Sequence, residues 1–170
     1  QELELVLTGR DCGQEERAPM CGVPYHSCEG YIARLIEKGY KVAECEQLED
    51  PKMVKGLVKR DVVRIITPGT VIESSMLEET KNNFLSAIYW GENQSAICFC
   101  DISTGEVFAT SFDKEPQLRM MNELGKFMPR EVMANQKVLE DKTIRAFAKD
   151  RLHCLLEQSV YQMDDETEME

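Results

Sequence analysis

Three strand-like runs at hairpin spacing constrain the fold of this 170-residue chain more than any other feature. They occupy residues 84–90, 95–102 and 106–112, and each is rich in β-branched, aromatic or small apolar residues. The segments between them read GEN at residues 91–93 and STG at residues 103–105, and both contain turn-forming residues. This spacing predicts three consecutive antiparallel strands.

Helical and strand patterns alternate after the third run. Apolar residues recur at helical spacing over residues 116–127, and a second helix is predicted over residues 142–148. Short strands are predicted over residues 131–134 and 152–156. An antiparallel meander followed by alternating helices and strands predicts a mixed α/β domain.

The first half of the chain predicts a smaller mixed unit. Strands are expected over residues 4–8, 41–46 and 61–67, and the last is expected to be buried because it is β-branched and apolar. Ser27 is placed to cap a helix, and Gly39 is placed to end that helix in the left-handed conformation.

Two proline signals shape the end of this unit. Asp50 followed by Pro51 predicts the start of a short helix that stops near Gly56. Pro68 followed by Gly69 predicts a type II turn, which needs a positive φ at its third position.

We therefore predict two domains, residues 1–72 and residues 73–170, which differ in charge. The net charge of the chain is −11, of which residues 1–70 carry −2 and residues 71–170 carry −9. Such an imbalance indicates that the two parts have different partners. No apolar run approaches the roughly 20 residues that a membrane-spanning helix requires, so no membrane contact is expected.

A basic run interrupts the acidic background of the chain. Its members are Lys52, Lys55, Lys59, Arg60 and Arg64. In an average protein such a run is a solvated face. The alternative is a polyanionic partner, most commonly a nucleic-acid backbone, and Arg64 could instead face the sheet interior.

The residues around that run resemble a known family. LTGR at residues 7–10 is followed by PMCGVPYHSCEGYIARLIEKGYKVAECEQLEDP at residues 19–51 and KVAECEQLEDPKMVKGLVKRDVVRIITPGT at residues 41–70. Together they resemble the N-terminal region of MutS-type DNA mismatch-repair proteins. NNFLSAIYW, DISTGEVF and the Pro-Arg-Glu step at residues 129–131 look like the connector domain of that family.

The resemblance implies an α+β mixed-sheet mismatch-recognition domain followed by a ribonuclease-H-like connector domain. It implies contact with mismatched double-stranded DNA by the first domain and engagement of a MutL-type protein by the connector. It also implies a homodimeric, cytoplasmic parent protein that binds ATP and magnesium outside this chain, with no cofactor in the chain itself.

The resemblance also suggests which residues meet DNA. It places Arg10 at the DNA backbone, and it places the segment with Met20, Gly22, Val23 and Pro24 at the minor groove. A turn packed on its own domain is the ordinary alternative for such a segment. The phosphate contacts are predicted to come from the basic residues Lys52, Lys55, Lys59 and Arg60.

The Phe-x-Glu mismatch reader of the family does not occur before LTGR, since the first phenylalanine is Phe84. The chain starts at Gln1, and we expect it to be a fragment of a longer protein. We therefore do not attribute mismatch specificity to these residues, and we expect weak discrimination between mismatched and paired duplexes.

Metal binding is not expected. Zinc would need ligands such as Cys12, Cys21, His26 and Cys28, but their spacing contains no CxxC pair. We expect His26 to be structural and His153 to be packed among apolar neighbours. Seven cysteines without regular spacing favour reduced thiols, and Cys45, Cys98 and Cys100 are expected to be buried.

Catalysis is not expected either. Asp101 and Glu106 could form part of a metal-dependent nuclease on a ribonuclease-H-like scaffold, which is the main alternative function. No GxxxxGK[ST] loop is present in the chain. A protein-interaction module without DNA contact is the second alternative.

Overall fold

A computed structural model of the chain describes residues 2–11, 13, 17–78 and 80–159. The chain divides into two compact units, Gln1–Ile66 and Thr67–Glu170, while the predicted boundary lies between residues 72 and 73. Strands and helices alternate along it, so the predicted mixed α/β class is confirmed. Among the described residues, none of the helices combines the length and the apolar character needed to cross a membrane.

The first unit contains two antiparallel strand pairs and one α-helix. Its elements in chain order are strands β1 (Thr8–Arg10) and β2 (Ala18–Met20), a 3-10 turn (Tyr25–Ser27), helix α1 (Cys28–Glu37), and strands β3 (Val42–Gln47) and β4 (Arg60–Ile66). The prediction of a strand over residues 4–8 is wrong in its bounds. Pairing begins only at Thr8, where Met20 of β2 provides the partner.

Helix α1 buries one face through Ile32 and Ile36, which are separated by one helical turn. Gly39 takes a φ of +81°, and its N–H donates to Ile36 O at 2.9 Å, which confirms the predicted left-handed end. Ser27 occupies the N-cap position, but its hydroxyl makes no capping hydrogen bond. The predicted cap is wrong because the preceding 3-10 turn already gives Ser27 helical backbone angles.

Strands β3 and β4 form a two-stranded ribbon with Val42 opposite Ile66 and an irregularity in register after Glu44. The β4 strand is where the sequence predicted it, but the prediction that it is buried is wrong. Val62 and Ile65 are 50% and 62% exposed. β-branched residues favour an extended backbone, whereas burial depends on what packs against each face.

The segment between β3 and β4 contains no helix, so the prediction of a short helix after Asp50 is wrong. The Asp50 carboxylate accepts the N–H of Lys52 at 2.9 Å, as an N-cap would. The N–H of Met53 donates to Asp50 O, which closes a turn. Gly56 then takes a φ of +121°, which helical residues cannot adopt, so the turn does not extend into a helix.

The second unit is a five-stranded mixed sheet in the order β7-β6-β5-β8-β9. Its strands are β5 (Phe84–Trp90), β6 (Ser95–Asp101), β7 (Glu106–Phe112), β8 (Glu131–Ala134) and β9 (Leu155–Gln158). The first three pair antiparallel, and β8 pairs parallel with both β5 and β9. The predicted meander followed by alternating elements is confirmed.

Three α-helices belong to this sheet: α2 (Pro116–Phe127), α3 (Gln136–Glu140) and α4 (Lys142–Ala146). Helix α2 has the predicted bounds, whereas α3 was not predicted. The helix expected over residues 142–148 leaves the α-helical form at Ala146, because a π-turn follows in which Leu152 N–H bonds to Phe147 O. The last strand begins later than predicted because His153 takes a φ of +53° before it.

The core of the second unit lies between one face of the sheet and the helices. Ile97 and Phe99 of β6 meet Met120 and Leu124 of α2 there. Phe99 is 1% exposed and stacks on Phe127 with ring centroids 4.1 Å apart. The alternating burial along β6 shows that its second face is only partly covered.

A tight turn at residues 67–70 packs against the edge of β8. Thr70 N–H donates to Thr67 O at 3.1 Å, but Gly69 does not take the positive φ of a type II turn, so the predicted turn type is wrong. Glycine is required there for a steric reason, since a Cβ at Gly69 would lie 2.8 Å from Glu131 Cβ. The buried Glu131 carboxylate accepts the N–H of Gly69 at 3.0 Å and the hydroxyl of Thr67.

The edge strand β7 is exposed along six of its seven residues. Val107 and Phe108 are 61% and 43% exposed, and Glu106 is its one charged residue. Its outer backbone groups have no neighbouring strand among the described residues, since β7 pairs only with β6.

Candidate nucleic-acid interface

The basic residues lie on the loop at the end of the β3–β4 ribbon, which we call the cation loop (residues 48–60). Leu48 N–H donates to Lys59 O at 3.0 Å, which closes the base of the loop. Arg60 is the first residue of β4 and lies opposite Gln47. The lysines and Arg60 are exposed, so the loop presents its positive charge to solvent.

The carboxylates of the cation loop bond to backbone amides. Glu49 accepts the N–H of Lys59 at 2.9 Å, and Asp50 accepts the N–H of Lys52 at 2.9 Å. Asp61, which follows the loop, accepts the N–H of Val62 at 2.8 Å. The negative charges in and beside the loop therefore stabilise its backbone.

The cationic groups are left without anionic partners. Across residues 2–11, 13, 17–78 and 80–159, no hydrogen bond or ion pair involves the side-chain nitrogens of Lys52, Lys55, Lys59 or Arg60. Four unpaired, exposed cations on one short loop concentrate positive charge, which attracts polyanions in general. Arg64 differs from them, because it is half-buried on β4 opposite Glu44.

The remaining predicted DNA contacts lie on the β1–β2 hairpin and the segment after it. Arg10 is exposed on β1 opposite Ala18, and Met20 is 45% exposed on β2. Beyond the hairpin, Gly22 and Pro24 are exposed and Val23 is half-buried.

These predicted residues lie on different elements from the cation loop. Within the described ranges, no hydrogen bond or ion pair joins the β1–β2 hairpin to the cation loop.

Met53 and Leu57 of the cation loop were not identified from the sequence. Their side chains are 83% and 99% exposed, whereas Val54 and Val58 beside them are half-buried. The alternation of lysines with apolar residues between Asp50 and Arg60 was the signal that could have found them.

The residues considered as zinc ligands, for which no site was expected, are not grouped into a site within the described part of the chain. Cys21 and His26 are exposed, Cys28 is half-buried, and Cys12 lies outside the described residues. No group of three or more His, Cys, Asp or Glu side chains in the described part of the chain could hold a metal ion. The exposure of His26 does not fit the predicted structural role.

Two further burial predictions are wrong. His153 is exposed, because its left-handed backbone conformation lies in the connection before β9. Cys45 is exposed on β3, whose ribbon is only partly covered. Cys98 and Cys100 are half-buried on one face of β6. The pKa of the Cys98 thiol is raised, mainly by burial and to a smaller extent by the neighbouring Cys100.

Asp101 is buried at the end of β6, and its carboxylate binds the turn that follows. It accepts the Ser103 hydroxyl at 2.6 Å, the Ser103 N–H at 2.9 Å and the Asn83 N–H at 2.9 Å. Burial would raise the pKa of the Asp101 carboxyl, but the bonds from Ser103, Asn83 and Thr104 outweigh it and lower the pKa. Glu106 lies opposite in the ladder and is exposed.

The sequence matches two family models, described as MutS domain I over residues 1–75 and MutS domain II over residues 83–167. It is 54% identical over 151 residues to the DNA mismatch repair protein MutS of Clostridium tetani, covering 89% of this chain and 17% of that protein. The MutS protein of Acetivibrio thermocellus is 53% identical over 157 residues, covering 89% of this chain and 18% of that protein. The chain thus spans less than a fifth of the length of these curated relatives.

Proposed function

The chain belongs to the MutS family of DNA mismatch repair proteins, and from that membership we propose that its first unit holds duplex DNA while its second unit engages a protein partner. The DNA is held through its phosphate backbone by Lys52, Lys55, Lys59 and Arg60. The observation that carries this proposal is the absence of any anionic partner for these four side chains among the described residues.

Phosphate contact of this kind positions a protein without reading sequence. Lysine and arginine release condensed counterions when they neutralise phosphates, so the affinity falls steeply as salt rises. We also assign a DNA-backbone contact to Arg10, and a minor-groove contact to the segment with Met20, Gly22, Val23 and Pro24. The cation loop therefore sets affinity and register, and specificity for a mismatch is left to other residues.

Charge removal on the cation loop tests the DNA grip. We expect Lys55→Ala combined with Lys59→Ala to weaken binding to a 20-base-pair duplex by about tenfold and to reduce the slope of log K against log salt by about 1.8, which corresponds to two phosphate contacts. Fluorescence anisotropy over a series of salt concentrations measures both quantities.

The matched control replaces two exposed lysines of the second unit, Lys142→Ala with Lys149→Ala. This pair should leave both the affinity and the slope unchanged. A slope unaffected by the loss of Lys55 and Lys59 would favour the protein-interaction module without DNA contact. Mismatched and paired duplexes should bind with similar affinity, and strong discrimination would contradict the assignment of the loop to backbone contact.

The second unit fits protein contact better than DNA contact. Residues 71–170 carry a net charge of −9, which repels a phosphate backbone. The partly covered face of its sheet bears a depression of about 1,210 Å³, whose lining includes the small residues Ala87, Ala96 and Ala109 and the aromatic Tyr89. An apolar surface with an aromatic anchor is typical of protein interfaces, and we assign it to a MutL-type partner.

A bulky charge on this surface tests the partner assignment. Ala109→Arg should weaken binding to a MutL-type protein by about tenfold, because Ala109 lines the depression and is exposed in the free chain. Thr143→Arg on α4 is the control and should bind normally. If a calorimetric titration gave equal affinities for the two variants, the assignment of the MutL-type partner to this face would be contradicted.

The matched relatives are more than five times as long as the matched region, so we assign the remaining properties to a longer parent protein. We propose that ATP and magnesium binding reside in the parent outside these residues, and that the parent is a homodimer in the cytoplasm. Neither unit is proposed to turn over a substrate, since the Asp101 carboxylate is occupied by the turn it stabilises.

A further inference from the structure

Strand β7 forms one edge of the five-stranded sheet, and the hydrogen bonds of the sheet identify its outward backbone groups. Phe84 O and Ile88 O of β5 accept N–H groups from the two residues that flank β8. Successive residues of a strand direct their N–H and C=O groups to opposite sides, so the odd-numbered residues of β5 bond to β6. Carried through both registers, this alternation points the N–H and C=O groups of Val107, Ala109 and Ser111 away from β6. These groups are available to a further strand.

The side chains of β7 offer apolar contact on both faces of the sheet. Phe108 is 43% exposed, although the centroid of its ring lies 5.1 Å from that of Phe127 and 6.1 Å from that of Phe84. On the opposite face, Val107 is 61% exposed. A strand added beside β7 would meet Phe108 in a non-hydrogen-bonded pair, where antiparallel strands bring side chains closest. An apolar residue at that position would extend the aromatic cluster.

Negative charge lies at both ends of β7. Glu106 is its first residue and Asp113 follows its last, and both are exposed. Residues 106–115 contain three carboxylates and one lysine, a net charge of −2, and residues 71–170 carry −9. This charge attracts a strand with basic ends. It repels a second copy of this chain, whose own net charge is −11.

We propose that β7 is a docking edge for an extended segment of a partner protein, apolar at its centre and basic at its ends, which adds to the sheet as a sixth strand. The inference goes beyond the proposed MutL-type contact, because it concerns the backbone edge of the sheet and not its face. In strand addition, main-chain hydrogen bonds supply affinity and alternate side chains supply specificity. A second copy of this chain is the competing occupant, and the experiment separates the two.

The probe is the synthetic peptide RTVTFTVTR, in which threonine alternates with apolar residues and arginine stands at both ends. With its phenylalanine opposite Phe108, the threonine N–H groups point toward β7 and the valine and phenylalanine N–H groups point away. Methylation of the threonine nitrogens should weaken binding at least about tenfold, because the hydrogen bonds to β7 are lost. Methylation of the valine and phenylalanine nitrogens is the matched control and should leave the affinity unchanged. Replacing both arginines with glutamate should also weaken binding about tenfold. Calorimetric titration of the wild-type chain measures all four affinities.

Two variants of Val107 test the same contact from the side of the protein. Val107→Pro removes one outward N–H, and edge strands tolerate proline where the N–H faces solvent. This variant should bind the probe about tenfold more weakly. Val107→Thr keeps both the N–H and the β-branched shape, and it should bind within about threefold of the wild type. A melting temperature of Val107→Pro close to that of the wild type verifies that the fold is intact.

Hydrogen exchange followed by NMR locates the bound peptide. Saturating probe should slow exchange of the amides of Val107, Ala109 and Ser111 at least about tenfold, because these groups become hydrogen-bonded. Protection of the same amides without peptide, rising with protein concentration, would show that a second copy occupies the edge and would overturn the proposal.

Three other results would also overturn it. The first is undiminished binding of the peptide methylated at its threonine nitrogens, a measurement that needs no change to the protein. The second is equal affinity of the glutamate peptide, which would remove the argument for basic ends. The third is loss of binding in both Val107→Pro and Val107→Thr, which would place the contact in the valine side chain instead of the backbone.

Discussion

Replacing Gly69 with alanine should destabilise the second unit by about 3 kcal/mol, because the added methyl group cannot be accommodated without moving the turn. The new Cβ would lie 2.8 Å from Glu131 Cβ and 3.2 Å from Leu85 Cβ. Movement of the turn would also lengthen the bond from Gly69 N–H to the buried Glu131 carboxylate. Urea unfolding followed by circular dichroism measures the loss.

A second glycine provides the matched control for this steric effect. Gly125 lies inside α2, where an added Cβ would meet only Phe147 Cζ at an ordinary distance of 3.6 Å. Gly125→Ala should therefore stabilise the unit by about 1 kcal/mol through higher helix propensity. If Gly69→Ala proved as stable as the wild type, close packing of the turn on β8 would not be the reason for glycine at this position.

Replacing Asp101 with asparagine should cost about 2 kcal/mol at pH 7, because an amide group cannot match the carboxylate that accepts the Ser103 hydroxyl and three backbone N–H groups. The pKa of the Asp101 carboxyl is lowered in the folded state. Its contribution to stability is therefore present above the unfolded-state pKa and is lost as the pH falls through the lower folded-state pKa.

Because the pKa of Asp101 is lowered in the folded state, the difference in unfolding free energy between wild type and Asp101→Asn should depend on pH. The stability difference between wild type and Asp101→Asn should be full at pH 7. It should begin to narrow below about pH 4, where the carboxylate of the unfolded chain takes up a proton, and should narrow further as the pH falls toward the lower folded-state pKa. Urea titrations at pH 7 and pH 3 measure the gap. Glu106→Gln, on the exposed partner position, should stay within about 0.5 kcal/mol of the wild type.

An assay for DNA cleavage in magnesium addresses the nuclease alternative with the same variants. Neither the wild type nor Asp101→Asn should cut DNA or RNA. Metal-dependent cleavage by the wild type that disappears in Asp101→Asn would show that the carboxylate serves chemistry as well as the turn.

The second unit was largely predictable from its sequence because local signals there agree with the tertiary structure. Strand β5 alternates in burial from Phe84 to Ile88, and its sequence has the matching period. Pro116 marks the first turn of α2, where a missing N–H costs nothing. The short helix α3 escaped prediction because five residues provide too little periodicity.

The first unit was harder to predict because its local signals admit more than one structure. Asp50 and Pro51 satisfy the requirements for a helix start, yet the same Asp50 carboxylate also closes an isolated turn. The same ambiguity affects Gly69 at the start of the second unit, since glycine there could provide a positive φ or allow a close approach, and only the position of Glu131 decides between them. The local sequence pattern predicts which secondary-structure element forms. The burial and exact geometry of that element depend on residues that are distant in the sequence.

The candidate interface was predictable in part. The lysines could be identified from their charge, but their lack of partners depends on where the Glu49 and Asp50 carboxylates bond. Those carboxylates could equally have paired with Lys52 or Lys59 in an extended loop. The outward positions of Met53 and Leu57 depend on the turn at Gly56, so composition alone could not show them.

Because the outer edge of β7 is unpaired, copies of this chain stay dispersed only if electrostatic repulsion keeps them apart. An unpaired strand with exposed Val107 and Phe108 is a template for another strand, and Glu106 is the only charge on it that opposes such pairing. The net charge of −11 holds molecules apart. A pH near the isoelectric point of this acidic chain, or concentrated salt, removes that protection, so colloidal stability of the isolated chain is greater in dilute buffer at neutral or alkaline pH.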